Sequence, residues 1–169
     1  MHTTIKFAKV KPTAIIPTKR EEDAGFDIYA NFEEDYIIIN PHETQMIPTG
    51  IACVCSMDYC FIIKERGSTG TKGMAQRCGV IDSGYRNEIF VPITNTTNNV
   101  IIIAQNRVMI SDIYGEIAPN NYTIYPYEKA IAQLLVLPVP KVSVEEITYE
   151  ELKSIPSDRG IGKLGSSGK

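Results

Sequence analysis

The feature that most constrains the fold of this 169-residue chain is a series of short β-branched and aromatic runs separated by turn residues. The runs are Tyr36–Ile39, Thr44–Pro48, Ile51–Val54 and Tyr59–Lys64, and Asn40-Pro41, Thr49-Gly50 and Ser56-Met57-Asp58 separate them. In residues 5–10, apolar and polar side chains alternate as in a β-strand. Residues 130–136 have the apolar density of a buried strand. Short strands at this spacing predict an all-β sandwich or barrel.

Composition argues against several classes of function. The net charge of -3 predicts neither a nucleic-acid-binding surface nor a membrane-binding one, because both need an excess of basic residues. A small anionic ligand stays compatible with this charge, since it needs only a locally positive pocket. No apolar run approaches a membrane span, and residues 1–11 lack the apolar core of a signal peptide, so we expect a single cytoplasmic domain.

Metal-binding and nucleophilic motifs based on cysteine or histidine are not evident. The cysteines are Cys53, Cys55, Cys60 and Cys78. They form no paired C-x-x-C hooks, and neither His2 nor His42 lies near them, so we expect reduced and mostly buried thiols. With only two histidines, a His-based triad is disfavoured. Catalysis is therefore expected from carboxylates.

Residues 76–89 carry the strongest candidate carboxylate. An apolar run ends before Ser83-Gly84, and alternation resumes through Ile93, which predicts a β-hairpin. Asp82 precedes this turn and Tyr85 follows it, so both can face one pocket, with Asp82 as general base for a water molecule. Aspartate before Ser-Gly is also ordinary turn chemistry, and this stretch alone leaves both interpretations open.

Two other stretches have phosphate-binding character. The loop Glu65-Arg66-Gly67-Ser68-Thr69-Gly70 offers amides, hydroxyls and a guanidinium together, without the Gly-Lys-Ser order of a Walker loop. Residues 157–169 are rich in glycine and serine and carry Arg159 and Lys163. This composition predicts a tail that is disordered when free but could fold over phosphate groups. Gln133 is the one polar residue inside the run 130–136, so it needs a hydrogen-bond partner.

Five short motifs follow one another along the chain: Ala24-Gly25-Phe26-Asp27-Ile28-Tyr29-Ala30, Arg66-Gly67-Ser68-Thr69-Gly70, Gly79-Val80-Ile81-Asp82-Ser83-Gly84-Tyr85-Arg86, Ile131-Ala132-Gln133-Leu134, and Arg159-Gly160 with Gly165-Ser166-Ser167-Gly168. In this order they resemble the five motifs of the homotrimeric dUTPase family. Five ordered matches that cover nearly the whole chain are far more specific than any one of them.

The resemblance implies a β jelly roll of the β-clip kind, a homotrimer, and Mg²⁺-dependent hydrolysis of dUTP to dUMP and pyrophosphate. Asp82 would activate the water that attacks the α-phosphorus in line, and Asp27 would help to hold the waters around a metal-bound triphosphate. Asp27 as a buried turn carboxylate is the alternative. The substrate-binding residues implied are Arg66, Gly67, Ser68, Gly79, Tyr85, Phe90, Gln133, Arg159, Leu164, Gly165, Ser166 and Ser167.

Individual roles also come from the resemblance. Tyr85 would lie against the deoxyribose, and the backbone near Gly79 and Phe90 would recognise uracil. The C-terminal arm would close over the active site of a neighbouring subunit.

The chain departs from the family pattern at three places. Arg66-Gly67-Ser68 replaces the usual Arg-Ser-Gly, Ala130 stands where the family has Arg or Lys, and Leu164 replaces the phenylalanine that stacks on uracil. These departures imply a shifted hydroxyl, a smaller positive charge and a weaker lid over the base.

We expect a jelly-roll domain over residues 1–156 and a flexible arm over residues 157–169. The resemblance implies that, compared with the family pattern, a β segment of about residues 103–122 is inserted between the third and fourth motifs. Similar insertions occur in some phage-type dUTPases, where they contact other proteins, so a repressor is a candidate partner. A solvated β excursion without a partner is the alternative.

Two other functions stay open at this point. One is a dCTP deaminase of the same fold, which the Asp82 motif and the Gly-rich arm fit less well. The other is a regulatory protein that uses the dUTPase scaffold and acts through its insertion.

Overall fold

Short strands are the main regular secondary structure of the described chain. The computed structural model describes residues 4–105 and 121–162. The strands are β1 Lys6–Lys9, β2 Phe26–Ile28, β3 Tyr36–Ile39, β4 Thr44–Pro48, β5 Ile51–Val54, β6 Tyr59–Lys64, β7 Met74–Gln76, β8 Val80–Ile81, β9 Phe90–Asn95, β10 Val100–Ala104, β11 Tyr122–Pro126 and β12 Ala132–Pro138. The helices are α1 Gly67–Gly70 and α2 Tyr149–Ser154. The four runs predicted from the sequence coincide with β3, β4, β5 and β6, and the predicted all-β class is confirmed.

The described strands form four small sheets, with strand orders β1-β5, β11-β10-β3, β2-β12-β6-β8 and β4-β9-β7. Among the described pairs, only β10 and β11 run parallel, with Val100 opposite Tyr122 and Ala104 opposite Pro126. Parallel neighbours cannot be joined by a tight turn, because the link must return along the whole strand. The chain between β10 and β11 is therefore a crossover connection.

The core lies between these sheets. Four of its members are Phe61 on β6, Ile101 and Ile103 on β10, and Leu134 on β12. Each of these side chains is fully buried. Ile102 faces the opposite side of β10 and belongs to a second, smaller apolar cluster. A strand that is apolar on both faces needs an uninterrupted apolar run, which is what the sequence of β10 provides.

The predicted hairpin around Ser83-Gly84 is wrong in its pairing. The turn is present, because the Tyr85 amide donates to the Asp82 carbonyl at 3.0 Å. However, β8 pairs with β6, whereas β9 pairs with β4 and β7. Alternation reports which face of a strand is buried, but the choice of partner strand depends on tertiary context. Residues 82–89 therefore form a loop that passes from one sheet to another.

The chain divides into two compact units, Met1–Val139 and Pro140–Lys169. The sequence prediction drew its boundary after Pro156, so the structure assigns a longer C-terminal unit. This unit contains α2, where Thr148 and Glu151 form a capping box: the Thr148 amide donates to Glu151 Oε2 at 2.7 Å, and the Glu151 amide donates to Thr148 Oγ1 at 3.2 Å. The sequence prediction missed this helix, although the Thr-x-x-Glu pattern signals it.

The predicted insertion and the predicted C-terminal arm lie partly outside the described residues. Residues 106–120 and the arm residues Leu164, Gly165, Ser166 and Ser167 lie outside them. Ile103 is a fully buried residue of β10, and Tyr122 begins β11, so both ends of the predicted insertion 103–122 belong to strands. Within the described residues, no helix has the length and apolar character needed to cross a membrane.

Candidate active site

A polar cleft of about 810 Å³ opens beside the sheet that contains β2, β12 and β6. Its volume is within the usual range for small-molecule sites. We call it the cationic cleft. Its lining residues are Thr18, Lys19, Arg20, Asp23, Ala24, Gly25, Asp27, Arg66, Gly67, Ser68 and Gln133.

Arg66 and Asp27 form the central ion pair of the cationic cleft. Arg66 Nε lies 2.9 Å from Asp27 Oδ1, and Nη2 donates to Asp27 Oδ2 at 3.3 Å. Two contacts of this kind fix the plane of the guanidinium as well as its position. Each side chain is 33% exposed, so Arg66 keeps further N–H donors with which it can bind an anion.

The loop after Arg66 is organised by Thr69. This residue is fully buried, its Oγ1 accepts from the Arg66 amide at 3.0 Å, and it donates to the Arg66 carbonyl at 3.0 Å. Gly67 and Ser68 lie between Arg66 and Thr69 in the chain, and both line the cleft. The sequence prediction chose Arg66, Gly67 and Ser68 but gave no role to Thr69, which holds their backbone in place.

Gln133 is fixed from two sides. On β12 it lies opposite Asp27 of β2 and Lys64 of β6, and its Nε2 donates to the Glu65 carbonyl at 2.7 Å. A Cβ added at Gly25 would lie 2.7 Å from Gln133 Oε1 and 2.9 Å from its Cβ, so only glycine fits there without a shift. The required polar partner of Gln133 is thus a backbone carbonyl. The phosphate contact stays a prediction, since the amide has a second N–H.

Glu65 is a structural residue of the cationic cleft that the sequence prediction did not single out. Its Oε1 accepts from the Gln76 amide at 2.9 Å. Hydrogen bonds from its own backbone amide and from that of Gln76 hold the pKa of Glu65 below its ordinary value. Gln76 in turn donates through Nε2 to the Ile131 carbonyl at 3.1 Å. These bonds join β7 to Glu65, just after β6, and to Ile131, just before the strand that carries Gln133.

The loop before Ala24 adds two more cations. Lys19 Nζ donates to the Asp23 carbonyl at 2.7 Å, and Arg20 forms two contacts of 2.9 Å with the Asp23 carboxylate. The hydrogen bond from Arg20 lowers the pKa of Asp23. The sequence prediction did not single out this polar run. Two adjacent cations a few residues before Ala24-Gly25-Phe26-Asp27 were the signal that it borders the site.

A second, smaller pocket of about 230 Å³ surrounds Asp82. We call it the Asp82 pocket, and its lining residues are Met46, Val80, Ile81, Asp82, Tyr85, Ile89 and Phe90. Its volume is below the usual range for a complete small-molecule site, so it suits one part of a larger ligand. Asp82 is the one carboxylate in an otherwise largely apolar lining.

The loop that carries Asp82 is tied internally. Tyr85 donates its hydroxyl to the Glu88 carbonyl at 2.9 Å. Arg86 Nη1 donates to the carbonyls of Ser83 at 2.6 Å and Tyr85 at 2.9 Å. Loops that bear functional groups need such supports when no sheet ladder holds them. Asp82 and Tyr85 do face one pocket, as the sequence prediction expected.

The structure distributes the predicted site residues over separate places. Asp27, Arg66, Gly67, Ser68 and Gln133 lie in the cationic cleft, and Asp82, Tyr85 and Phe90 line the Asp82 pocket. The two linings share no residue. Gly79 directly precedes β8, and a Cβ there would meet nothing within 4 Å. Arg159 belongs to the C-terminal unit, and Leu164, Gly165, Ser166 and Ser167 lie outside the described residues.

The cysteines are free thiols, of which only Cys53 is fully buried, so the expectation of mostly buried thiols was too broad. Burial raises the pKa of Cys53 to about 12 and that of Cys78 to about 11. Both thiols are therefore protonated near neutral pH and are poor nucleophiles. No cluster of three or more His, Cys, Asp or Glu side chains suitable for a metal occurs in residues 4–105 and 121–162.

Comparisons with known proteins point to one family. Residues 11–110 match the family model described as dUTPase. The chain is 32% identical to the deoxyuridine 5'-triphosphate nucleotidohydrolase of Nautilia profundicola, over 98% of this chain and 99% of that protein.

Solved structures give the same fold. The dUTPase of Staphylococcus bacteriophage 80alpha, solved with dUPNHPP, has a TM-score of 0.74 at 23% identity, over 98% of this chain and 99% of that one. The D95N dUTPase of phage phi11 of S. aureus, in which a structural Mg(II) ion is coordinated, has a TM-score of 0.66 at 22% identity, over 85% and 96%. The predicted β jelly roll is confirmed by these likenesses. Together with the family match and the Nautilia relative, the geometry leads to one assignment: the chain belongs to the dUTPase family.

Proposed function

We propose that this protein is a dUTP diphosphatase that hydrolyses dUTP to dUMP and pyrophosphate. The observation that carries the proposal is the pairing of a cationic cleft, built around Arg66, with a separate apolar pocket whose one carboxylate is Asp82. A nucleoside triphosphate has the same two halves: a strongly anionic tail and a largely apolar sugar and base. The name of the Nautilia relative supports the same substrate.

In this proposal, Asp82 is the general base. It is exposed at the rim of its pocket, so a water molecule can reach it. The carboxylate takes one proton from this water while the water oxygen bonds to the α-phosphorus. The bond from that phosphorus to the bridging oxygen breaks, and pyrophosphate leaves. No covalent enzyme intermediate is needed.

The cationic cleft would bind the triphosphate. The ion pair with Asp27 holds the Arg66 guanidinium before any ligand arrives, so its free donors are already oriented. The backbone of Gly67 and Ser68 and the second N–H of Gln133 add donors on the same side. Preorganised donors of this kind stabilise charge that develops on the leaving group.

Magnesium fits the cationic cleft as an ion bound chiefly by phosphate and water. The cleft carboxylates, Asp23 and Asp27, are engaged by arginines but keep oxygen lone pairs that can accept from metal-bound waters. Mg²⁺ prefers this mode, in which few protein ligands are direct. When bound, it would neutralise phosphate charge.

We propose a homotrimer, because the two pockets share no residue and one chain does not bring Asp82 and Arg66 into a common lining. In a closed ring, the Asp82 pocket of one subunit can meet the cationic cleft of the next, three times over. Arg159 and the glycine-rich residues that follow would close the site as an arm from a neighbouring subunit. Light scattering should give three times the mass of 18.8 kDa.

The decisive assay is pyrophosphate release from dUTP, dCTP, dTTP and UTP, with and without Mg²⁺. We expect release from dUTP with magnesium and little from the other three nucleotides. Ammonia release from dCTP would instead identify a deaminase. Absence of turnover with all four would remove the proposed activity and leave a regulatory protein on a dUTPase scaffold.

A second function, binding of a protein partner through the crossover connection, rests on the parallel pairing of β10 and β11. Long excursions in a compact domain are usually functional or disordered. Phage dUTPases, among them that of bacteriophage 80alpha, control transfer of virulence genes. We propose that residues 105–121 of this chain bind a protein partner, and a transcriptional repressor is the kind that fits.

The test of this partner must respect the strand geometry. Replacement of residues 103–122 would delete buried Ile103 and the start of β11, and a short turn cannot span a parallel pair. We would instead replace residues 106–120 by a Gly-Ser linker of about twelve residues, because a connection between parallel neighbours needs roughly a dozen residues or more. dUTP hydrolysis should persist while the partner is lost from a pull-down. Identical partners with both proteins would contradict the proposal.

A further inference from the structure

We infer that Glu88 is a positioning residue for the Asp82 pocket: its side chain ties the loop of residues 82–89 to the turn between β4 and β5, and so sets the position of Tyr85. This inference rests on the proposed function, because it assigns Glu88 a part in the selection of deoxyribose. Glu88 lies outside the lining of both pockets, so it would act through Tyr85 and not on the substrate.

The anchor point is a turn that cannot easily move. Glu88 Oε1 accepts from the Gly50 amide at 2.7 Å. Gly50 has a φ of +65°, and a Cβ there would lie 2.6 Å from Asn31 Oδ1 and 2.8 Å from Ala14 Cβ. Both of these neighbours are buried. The Glu88 carboxylate is therefore bonded to a backbone position that the core fixes.

The next residue strengthens the same anchor. The buried Thr49 Oγ1 donates to the Ile89 carbonyl at 2.5 Å, and the Ile89 amide donates to the Ile51 carbonyl at 2.8 Å. Three hydrogen bonds thus hold residues 88 and 89 to residues 49–51, at the turn between β4 and β5. One uses the side chain of Glu88, one uses the side chain of Thr49, and one joins two backbone groups. The C-terminal end of the Asp82 loop is the firmly attached end.

The link to the site passes through Tyr85. Its hydroxyl donates to the carbonyl of Glu88 at 2.9 Å. Because Tyr85 is 40% exposed, packing against neighbouring residues gives it little further support. Its amide closes the turn onto the Asp82 carbonyl at 3.0 Å. A shift of residue 88 would therefore move the ring of Tyr85 and, through the turn, the backbone of Asp82.

A purely structural role for Glu88 must be separated from this positioning role, and Glu43 is the matched control. Its Oε2 accepts from the Asn40 amide at 2.9 Å, and its Oε1 accepts from Gln45 Nε2 at 2.6 Å. Glu43 thus stabilises the turn before β4, as Glu88 stabilises the turn after it. Glu43 lines neither pocket.

The experiment compares kcat and KM for dUTP and UTP in the wild type and in the variants Glu88→Ala, Glu88→Gln and Glu43→Ala, with the melting temperature of each. Glu88→Ala should lower the preference for dUTP over UTP roughly tenfold, the effect of one lost charge-assisted hydrogen bond. Glu88→Gln keeps an acceptor oxygen and should retain most of the preference. Glu43→Ala should lose stability but keep the wild-type preference.

A second variant guards against misfolding of Glu88→Ala. Tyr85→Phe removes the hydroxyl that reaches Glu88, and it should lower the same preference. The double variant Tyr85→Phe/Glu88→Ala should prefer dUTP over UTP no less than the single variant with the lower preference. The reason is that both changes disrupt the same series of contacts between Gly50 and Tyr85. An unchanged preference in Glu88→Ala, additive losses in the double variant, or equal losses in Glu88→Gln and Glu88→Ala would each overturn the inference.

Failure of the proposed function would be visible separately. If the wild type releases no pyrophosphate from dUTP, that proposal fails. Calorimetric binding of dUMP and UMP by the same proteins would then still test whether Glu88 controls the choice of sugar. A wild-type preference for dUMP that survives in Glu88→Ala would contradict the inference.

Discussion

The cationic cleft and the Asp82 pocket are built in opposite ways. The cleft draws residues from three distant parts of the chain, and it contains two formed ion pairs, Arg66 with Asp27 and Arg20 with Asp23. The Asp82 pocket comes mainly from one continuous stretch, residues 80–90, and among the described residues the Asp82 carboxylate accepts no side-chain hydrogen bond. Binding of a polyanion gains from donors that are fixed in advance, whereas a general base needs a free lone pair.

The largest effect is expected from Asp82→Asn. The amide has nearly the same shape but cannot take the proton of water, so kcat should fall ~100 to 10,000-fold. Binding of a nonhydrolysable dUTP analogue, measured by calorimetry, should stay close to that of the wild type. Asp58→Asn, in an exposed turn outside both pockets, is the control and should keep full turnover. Near-normal kcat in Asp82→Asn would remove the base assignment.

The next effect tests the cleft. Arg66→Lys keeps the charge but loses the planar fork that contacts Asp27 on two atoms, and kcat/KM for dUTP should fall roughly 100-fold. Arg20→Lys is the comparison, because Arg20 has an 87% exposed side chain and should matter much less. Steady-state kinetics checks both variants. Unchanged kcat/KM in Arg66→Lys would mean that the cleft responds to charge alone and not to the orientation of Arg66.

A smaller effect should follow from Gly25→Ala. The new Cβ would meet Gln133 at 2.7 and 2.9 Å, so the amide must move away from Glu65. Overpacking of this kind typically costs about 1 to 3 kcal/mol, and KM for dUTP should rise as well. Gly70→Ala, whose nearest contact would be Glu65 Cβ at 3.8 Å, is the control. If Gly25→Ala keeps both the melting temperature and KM, Gln133 is not fixed as described.

The smallest expected effect is the pH dependence that Glu65 contributes. Its pKa is lowered in the folded protein, so its stabilising contribution is present above the ordinary value of 4.5 and is lost as pH falls through the folded pKa. Melting temperatures of the wild type and Glu65→Gln between pH 7 and 3 should therefore converge in acid. Parallel curves would show that Glu65 does not act through its charge.

Sequence patterns predicted the strands better than the pockets. The bounds of β3 to β6 follow from β-branched runs between turn residues, because both signals are local. Pairing of β8 with β6 was not predictable, since it brings Phe61 opposite Ile81 across a long sequence distance. The same is true of the parallel β10–β11 pair.

The site was predictable to the extent that motifs mark it. Arg66, Gln133 and Asp82 were predicted from local patterns, Asp27 was added by the family resemblance, and each of the four lines one of the two pockets. The bonds that hold them were not predicted, because the partner is often a backbone carbonyl, as for Gln133, or a buried hydroxyl, as for Thr69. The division of these residues between two pockets also depends on tertiary structure and has no local signal.

The most direct test of the central claim, that one site is assembled from the cationic cleft of one subunit and the Asp82 pocket of another, is subunit complementation. Asp82→Asn and Arg66→Ala proteins, each inactive alone, are unfolded, mixed in equal amounts and refolded together, and dUTP hydrolysis is measured. Random assembly into trimers should restore about a quarter of wild-type activity, because that share of sites combines an intact Asp82 with an intact Arg66 from the next subunit. No recovery, with mixed trimers verified by mass spectrometry, would contradict the account.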